Sequence, residues 1–307
     1  MKVIVHADDL GISRGITDRI IETHRNGAVR RTSILANGEA FDYAAERLQE
    51  NPGLSRAVHL NLVEGRCLAS GQGLRLLVDR QGRFRRDFLG LLLLPILAPW
   101  CRAALRRQIR SELDAQIQRV REALNPVDIR IDSHRYVHLI PFVFSVVMER
   151  AADWTVREIR VVNEPLFTAR GGFRGLAELI SPNLLKFLVL RVLSGSCRKQ
   201  LRRRGFACPE RTLGVLFSGR MTEQVVDRGM RRIARCPPAE DAEVEVLFHP
   251  GPADPGDRGV WSENPRQSRF YFSSRRGAET AALLSPELRR WAGGISIGSG
   301  RIEAEQL

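Results

Sequence analysis

The sequence predicts an α/β fold in which parallel strands alternate with helices. Short apolar, β-branched runs recur along the 307 residues, and segments with apolar residues at helical spacing separate them. The predicted strands lie at residues 2–7, 32–36, 57–63, 128–132, 157–162 and 244–248. Chemistry in such folds collects at the carboxyl ends of the strands, so the residues that follow each run are the candidates for a site.

Two amphipathic helices are predicted between these strands, at residues 14–26 and 105–123. In both, apolar residues recur every three or four positions, which gives each helix one face to bury. Ser13 is the predicted N-cap of the first helix, and Gly27 is predicted to end it.

Composition and length are those of a globular protein. The chain is 43% hydrophobic and 27% charged, which excludes general disorder. Its length suits one large α/β domain or two smaller ones. We therefore predict a single domain over residues 1–307, with insertions near residues 85–105 and 175–210.

The chain is basic, with 48 Lys and Arg against 35 Asp and Glu, a net charge of +13. This balance indicates affinity for polyanions such as nucleic acid, anionic lipid or phosphorylated substrates, or simply an arginine-rich surface. No zinc-finger, RNA-recognition or basic-zipper pattern is present, so no nucleic-acid partner is predicted.

The five cysteines indicate the compartment. Their number is odd, they are widely spaced and no C-x-x-C occurs, which argues against a disulfide framework or a cysteine zinc site and favours a reducing cytoplasm. The N-terminus lacks a signal-peptide pattern, and no apolar run reaches the roughly 18 residues that span a bilayer. We expect a cytoplasmic protein.

Two apolar segments interrupt the α/β pattern. Residues 88–100 and 184–193 are nearly all apolar, and four arginines and a lysine follow within residues 198–204. One interpretation is an interfacial element that binds an anionic membrane, which would place the protein peripherally on the inner face of the cytoplasmic membrane. The alternative is a cap that packs on the domain.

Asp8 and Asp9 end the first predicted strand and are the strongest candidates for chemistry. Adjacent carboxylates repel each other, and a divalent cation removes that penalty. One carboxylate can then bind the metal while the other polarises a water. The alternative is a helix-capping residue next to a solvated acid.

Histidines fall at the ends of later strands, as His59, His134 and His249 do, and His138 follows four residues after His134. Neutral imidazoles with a carboxylate suit Zn²⁺ and, with more water, Mg²⁺. Two His and one Asp leave coordination positions open, which is typical of a catalytic metal site. Asp132 is a candidate acceptor that orients an imidazole.

Four motifs occur together: His6-Ala7-Asp8-Asp9-Leu10-Gly11, Val58-His59-Leu60-Asn61-Leu62-Val63-Glu64-Gly65, Ile131-Asp132-Ser133-His134 with His138 and Pro141, and Phe248-His249-Pro250-Gly251. With these four motifs in this order, the chain resembles the YdjC-like (ChbG/HpnK) carbohydrate deacetylases. The resemblance implies a distorted, TIM-barrel-like (β/α) barrel of about seven strands and removal of an N-acetyl group from an amino sugar. It also implies a divalent metal ion held by Asp9, His59 and His134, with Asp8 as general base.

The third motif departs from the family, because Arg135 and Tyr136 stand where His is common; Leu10 replaces a common Phe. Substrate contacts near Tyr136 are therefore expected to differ. The predicted substrate-binding residues are Asn61, Tyr136, His138 and Arg160, with Arg269 as an alternative to Arg160.

Within the family that this chain resembles, we expect it to belong with the members that act on lipid-linked substrates. The apolar, arginine-flanked segments and residues 213–221 look like the lipid-acting members. A polyprenyl-phosphate sugar or a hopanoid glycoside would fit. For the reaction we predict one Mg²⁺ or Zn²⁺ ion, Asp8 as proton acceptor and His249 as general acid.

Two other functions compete with this prediction. A metal-dependent phosphoesterase would use the same donors and would release phosphate in place of acetate. A non-catalytic protein that binds polyanions or membranes would show steep salt dependence and tolerate His59→Ala. The assembly state is open, with a homodimer as one alternative.

Overall fold

The computed structural model of the protein describes residues 1–69, 73–170, 178, 180, 182–254, 257, 271 and 273–292. Its centre is a parallel sheet of seven strands: β1 Lys2–Leu10, β2 Arg31–Ile34, β3 Ser55–Leu60, β4 Ile129–Ser133, β5 Val156–Ile159, β6 Arg211–Leu213 and β7 Glu243–Phe248. The strand order is β5-β4-β3-β2-β1-β7-β6. The first strand therefore lies near the middle of the sheet.

Helices connect the strands. They are α1 Arg14–Arg25, α2 Phe41–Gln49, α3 Phe88–Leu97, α4 Arg102–Leu124, α5 Pro141–Arg150, α6 Pro182–Arg203, α7 Glu223–Ala234, α8 Ser274–Leu284 and α9 Pro286–Ala292. Short 3₁₀ turns at Pro99–Cys101 and His134–Leu139 precede α4 and α5.

The sheet is curled, and backbone hydrogen bonds link its two outer strands. Ala207, just before β6, donates to the carbonyl of Arg157 at 3.1 Å and accepts from the amide of Ile159 at 3.0 Å. A curled parallel sheet with helical connections confirms the predicted α/β fold with a distorted barrel. The single-domain extent and a complete TIM barrel stay predictions.

The predicted strands all form, with ends shifted by up to three residues. The sequence reading missed β6, because its three residues Arg-Thr-Leu include only one apolar side chain. Ser13 caps α1 as predicted, since its side chain accepts a hydrogen bond from the amide of Ile16.

Gly27 does not cap the helix; Asn26 does. A Cβ at Gly27 would lie 2.4 Å from the carbonyl oxygen of Leu283, so the glycine is needed for close approach of the chain that follows α8. The C-cap prediction was wrong by one residue, because close packing from a distant segment gives no local signal.

The two faces of the curled sheet differ in character. Val3, Val5 and Ala7 of β1 belong to the apolar core. The alternate residues His6 and Asp8 instead join a buried polar network with residues of β4 and β7. This alternation follows the two-residue period of a strand and brings charged groups beneath the carboxyl ends of the strands.

Membrane-spanning potential is limited in the part of the chain that the structure describes. There, no single helix is long and apolar enough to cross a bilayer. Only Phe88–Leu97 taken together with Pro99–Leu124 meets the length and composition required, and that pair is bent by 102°.

Candidate active site

The end of β1 presents both aspartates to one cavity of about 500 Å³. Asp9 has a φ of 75° and Gly11 a φ of 86°, so the chain leaves the strand through two residues in the left-handed region. Asp tolerates this region better than most side chains. The turn explains how neighbouring residues of a strand can serve the same cavity.

Asp9, His59 and His134 come together at the base of the cavity. One donor atom of each lies within 4.8 Å of the other two, and all three residues are buried. Asp9 Oδ1 is 3.1 Å from His134 Nδ1 and 3.7 Å from His59 Nε2. These are the three residues that the family resemblance of the sequence implied as metal ligands.

A second carboxylate holds the outer nitrogen of each imidazole. Asp132 Oδ1 lies 2.6 Å from His59 Nδ1, and Glu64 hydrogen-bonds His134 Nε2. The inner nitrogens, His59 Nε2 and His134 Nδ1, are therefore the ones that face Asp9. Carboxylates placed behind histidine ligands fix the tautomer and orientation of the ring. Asp132 thus orients an imidazole as expected, and the imidazole is that of His59.

The donor set fits a divalent cation. A carboxylate oxygen and two imidazole nitrogens are the ligand types that Zn²⁺ and related ions take in catalytic sites. The cluster also favours positive charge: burial lowers the pKa of His134, but Glu64 and Asp9 outweigh burial and raise it to about 9.

Three residues of this site were not predicted: Glu64, Tyr271 and Arg276. Arg276 donates to Asp9 Oδ2 at 3.1 Å, and the Tyr271 hydroxyl donates to Glu64 Oε2 at 3.2 Å. Burial raises the pKa of Asp9, but His134 and Arg276 hold it well below its usual range. Glu64 lies inside the second motif, whereas nothing in the sequence near Tyr271 or Arg276 marks them.

Asp8 is held as an anion. Arg160 Nη1 lies 3.0 Å from both of its oxygens, and Ser33 donates to Oδ1 at 3.0 Å. Burial raises the pKa of this carboxyl group, yet Arg160 and the surrounding histidines hold it below its usual range. Asp8 lines the cavity directly beside Asp9.

Arg160 lies beneath the site and is not among the described residues that line the cavity. Its guanidinium also contacts Asp132 Oδ2 at 2.8 Å and Glu245 Oε2 at 2.9 Å. The predicted contact with substrate is therefore corrected, because three buried carboxylates engage this cation. The alternative, Arg269, lies outside the described residues.

His6, Asp8 and Asp132 form a second group of potential metal donors. We favour the cluster around Asp9, because Asp9, His59 and His134 all line the cavity, whereas His6 and Asp132 are not among its described lining residues. Asp8 and Asp132 are already engaged by the guanidinium of Arg160.

His249 follows β7 and lines the same cavity as Asp8 and Asp9. Its Nε2 is 3.7 Å from Asp8 Oδ2, and its backbone amide donates to Glu279 at 2.6 Å. Burial lowers the pKa of His249 to about 4 against the opposing effect of the two aspartates. The ring is therefore neutral near pH 7.

Asn61 and His138 support the site from behind the described cavity wall. Asn61 Oδ1 accepts from the amide of Val63 at 3.0 Å, and its Nδ2 donates to the carbonyl of Glu64 at 2.7 Å. His138 is fully buried, with its ring bonded to Ser133 and to the carbonyl oxygen of Arg160. Both predicted substrate contacts are corrected, because these polar groups are used within the protein.

Tyr136 lines the cavity, and its contact with substrate stays a prediction. Its φ is 61°, and its hydroxyl has no hydrogen-bond partner among the described residues. Lys186 Nζ lies 5.1 Å from the centre of the ring. The departure from the family's histidine-rich motif therefore falls at the cavity wall.

The outer part of the cavity is apolar and is formed by α3 and α6. Its apolar lining residues are Phe88, Leu89, Leu185, Val189 and Leu190, and the cationic Lys186 lies among them. The two apolar insertions thus contribute to the lining of the cavity, which sequence spacing alone did not indicate.

Residues 2–293 match the YdjC-like protein family. The chain belongs to the YdjC-like family. Among its relatives, a carbohydrate deacetylase of Listeria monocytogenes (serotype 4a, strain HCC23) is 35% identical over 156 residues. A chitooligosaccharide deacetylase of Escherichia fergusonii is 34% identical over 165 residues.

These alignments of the YdjC-like chain are partial. They cover 51% of the chain and 59% of the Listeria protein, and 54% of the chain and 61% of the Escherichia protein. A crystal structure from Enterococcus faecalis V583, of a protein proposed to cleave cellobiose phosphate, matches 95% of this chain and 94% of its own, with a TM-score of 0.65 and 20% identity. That likeness supports the fold alone.

Proposed function

We propose that this YdjC-like protein is a metal-dependent hydrolase that removes the N-acetyl group from an amino sugar. The observation that carries the proposal is the convergence of Asp9, His59 and His134 beside Asp8 at the wall of one cavity. Membership of the YdjC-like family and relatives named as carbohydrate deacetylases support the same reaction.

The proposed cofactor is one divalent ion, Mg²⁺ or Zn²⁺, held by Asp9, His59 and His134. When bound, such an ion polarises a carbonyl group and lowers the pKa of water. Asp132 and Glu64 orient the two imidazoles by accepting their outer N–H groups, which leaves the inner nitrogens to face the ion. Arg276 balances the charge of Asp9.

Asp8 is the proposed proton acceptor for the attacking water. Its low pKa means that the proton is not retained there. His249, neutral and 3.7 Å from Asp8, is placed to take up that proton and to deliver it to the amine nitrogen as the amide C–N bond breaks. Water is consumed, and acetate and a free amino sugar are formed.

The substrate we propose is an amino sugar carried on a lipid, such as a polyprenyl-phosphate sugar or a hopanoid glycoside. The apolar part of the cavity, formed by α3 and α6, supports this proposal. A free sugar is polar and has no large apolar group to bury against these residues, whereas a lipid carrier does. Tyr136 is the proposed contact for the sugar. We place the protein in the cytoplasm, bound peripherally to the inner face of the cytoplasmic membrane. A homodimer stays a prediction.

Acetate release tests the reaction. Wild-type protein is incubated with N-acetylated amino sugars before and after metal removal, and both acetate and phosphate are measured. We expect acetate that disappears with the metal and returns with Zn²⁺ or Mg²⁺. Asp8→Asn should lower turnover by at least about 100-fold while the metal stays bound, because a general base contributes roughly that much.

A surface change, Asp128→Asn, is the matched control and should leave turnover unchanged. Phosphate release without acetate would identify a phosphoesterase and overturn the proposal. Full activity of Asp8→Asn would remove Asp8 from the role of base.

A further inference from the structure

Large apolar side chains are exposed on one part of the molecule. Eleven such side chains are exposed among the described residues, and five of them lie on α3 or the turn after it and three on α6. We call these eight the apolar rim: Leu89, Leu93, Ile96, Leu97, Trp100, Leu185, Leu188 and Val192. Such clustering differs from the scattered single exposures that are normal on a protein surface.

The rim residues are spaced to form continuous helical faces. On α3, Leu89, Leu93 and Ile96 recur every three or four positions, and Trp100 follows in the 3₁₀ turn after the helix ends. Leu185, Leu188 and Val192 do the same on α6, a pattern that puts side chains on one face of a helix. Trp100 is 79% exposed, so the rim is not the underside of a packed cap.

The rim is continuous with the entrance to the active-site cavity. Leu89 and Leu185 are 59% and 68% exposed, and both also line the cavity. Both helices of the rim thus contribute a side chain that is exposed and also lines the cavity. Whatever covers the rim therefore lies directly over the opening through which substrate enters.

The charges around the rim favour an anionic partner. No Asp or Glu occurs in residues 88–111 or in α6. Exposed bases lie on α6 or next to the two helices: Arg85, Arg102, Arg107, Arg191, Lys199, Arg202, Arg203 and Arg204. A second copy of this chain carries the same net charge of +13 and would be repelled.

We propose that the apolar rim inserts into the headgroup region of an anionic lipid bilayer and opens the active-site cavity onto the membrane surface. This inference rests on the proposed function and identifies the partner of the same site. Apolar insertion combined with attraction of arginines to anionic lipid gives peripheral binding that salt weakens.

Vesicle sedimentation of the full-length protein tests the inference. Wild type should sediment with phosphatidylglycerol/phosphatidylcholine vesicles at low salt and much less with phosphatidylcholine alone. The variant Leu93→Asp/Ile96→Asp/Leu188→Asp should bind the anionic vesicles at least about tenfold more weakly, because it places three charges in the rim. None of these three residues lines the cavity.

Val127→Asp is the matched control. Val127 is 89% exposed and lies two residues before β4, at the amino ends of the strands and away from the rim. This variant should bind vesicles as wild type does. Both variants should release acetate from a water-soluble N-acetyl sugar at the wild-type rate.

Trp100 gives a measurement that needs no charged substitution. The fluorescence difference between wild type and Trp100→Phe should shift to shorter wavelength with anionic vesicles. Wild type that stays in the supernatant, or a rim variant that binds vesicles as tightly as Val127→Asp does, would overturn the inference. So would a rim-dependent dimer without vesicle binding. Absence of acetate release with vesicle binding intact would instead count against the proposed function.

Discussion

Glu64 and Asp132 decide which nitrogen each imidazole offers to a metal. Each carboxylate engages the ring nitrogen that faces away from Asp9, so His59 offers Nε2 and His134 offers Nδ1. The two histidines consequently use different ring atoms, a detail that sequence spacing cannot supply. Both carboxylates are buried, which makes their orientation of the rings firm.

Glu64→Gln is predicted to weaken metal binding by about 10- to 100-fold, since an amide accepts a weaker hydrogen bond from the imidazole than a carboxylate does. Asp132→Asn should act in the same way through His59. Titration calorimetry with Zn²⁺ measures the affinity, and Glu22→Gln on the surface of α1 is the control. An unchanged affinity in both site variants would show that the two carboxylates do not position the ligands.

Individual site residues were predictable where they follow a strand directly. Asp8, Asp9, His59, His134 and His249 all have this placement, and parallel strands bring such positions to one edge. Arg276 and Tyr271 reach the site from the far end of the chain, more than 200 residues beyond Glu64. Only the tertiary fold brings them there.

The turn from β1 into α1 determines where the two aspartates lie. Ser13 begins the helix: its side chain accepts from the amide of Ile16 at 3.2 Å, and its carbonyl accepts from Thr17 Oγ1 at 2.8 Å. Thr17 Oγ1 in turn accepts from the amide of Gly11 at 3.2 Å. A helix cap and the strand end are thus linked by hydrogen bonds.

Ser13→Ala is predicted to lower the free energy of unfolding by about 1 kcal/mol, the usual loss when a capping side chain is removed. Urea denaturation of the metal-free protein measures the change. Ser13→Thr keeps the hydroxyl and should retain most of the stability. Equal stability of Ser13→Ala and wild type would show that the cap contributes nothing here.

Helices α3 and α6 show where prediction from sequence stops. Their apolar runs were evident, and both an interfacial element and a packed cap were consistent with them. Burial bears on the choice between these interpretations, and it depends on what the rest of the chain leaves uncovered. On α3 only Leu91 and Pro95 are buried, whereas Leu97 is 70% exposed.

Across the molecule, the concave face of the sheet carries a buried ionic network centred on Arg160. It joins Asp8, Asp132 and Glu245 to one guanidinium. Removing one partner from such a network leaves an uncompensated buried charge, which is strongly destabilising. His138 adds a neutral group, because burial lowers the pKa of its imidazole; its Nε2 donates to the carbonyl oxygen of Arg160.

His138 makes stability depend on pH. Burial lowers its pKa from 6.5 to about 4, so between these values the unfolded chain holds a proton that the folded chain does not. Stability therefore rises with pH through this window and is lost as pH falls, by up to about 3 kcal/mol. Chemical denaturation of metal-free protein at several pH values should give a shallower slope for His138→Asn than for wild type. Identical slopes would contradict a neutral buried imidazole.

Metal stoichiometry tests the central claim most directly. Wild type, Asp8→Asn, Asp9→Ala, His59→Ala and His134→Ala are loaded with Zn²⁺, dialysed and measured by elemental analysis. We predict about one ion per chain in wild type and in Asp8→Asn, and little metal in the other three, because removing a ligand from a three-ligand site abolishes tight binding. Full occupancy in Asp9→Ala and His59→Ala, with loss in Asp8→Asn, would contradict the account and assign the metal to the group of His6, Asp8 and Asp132.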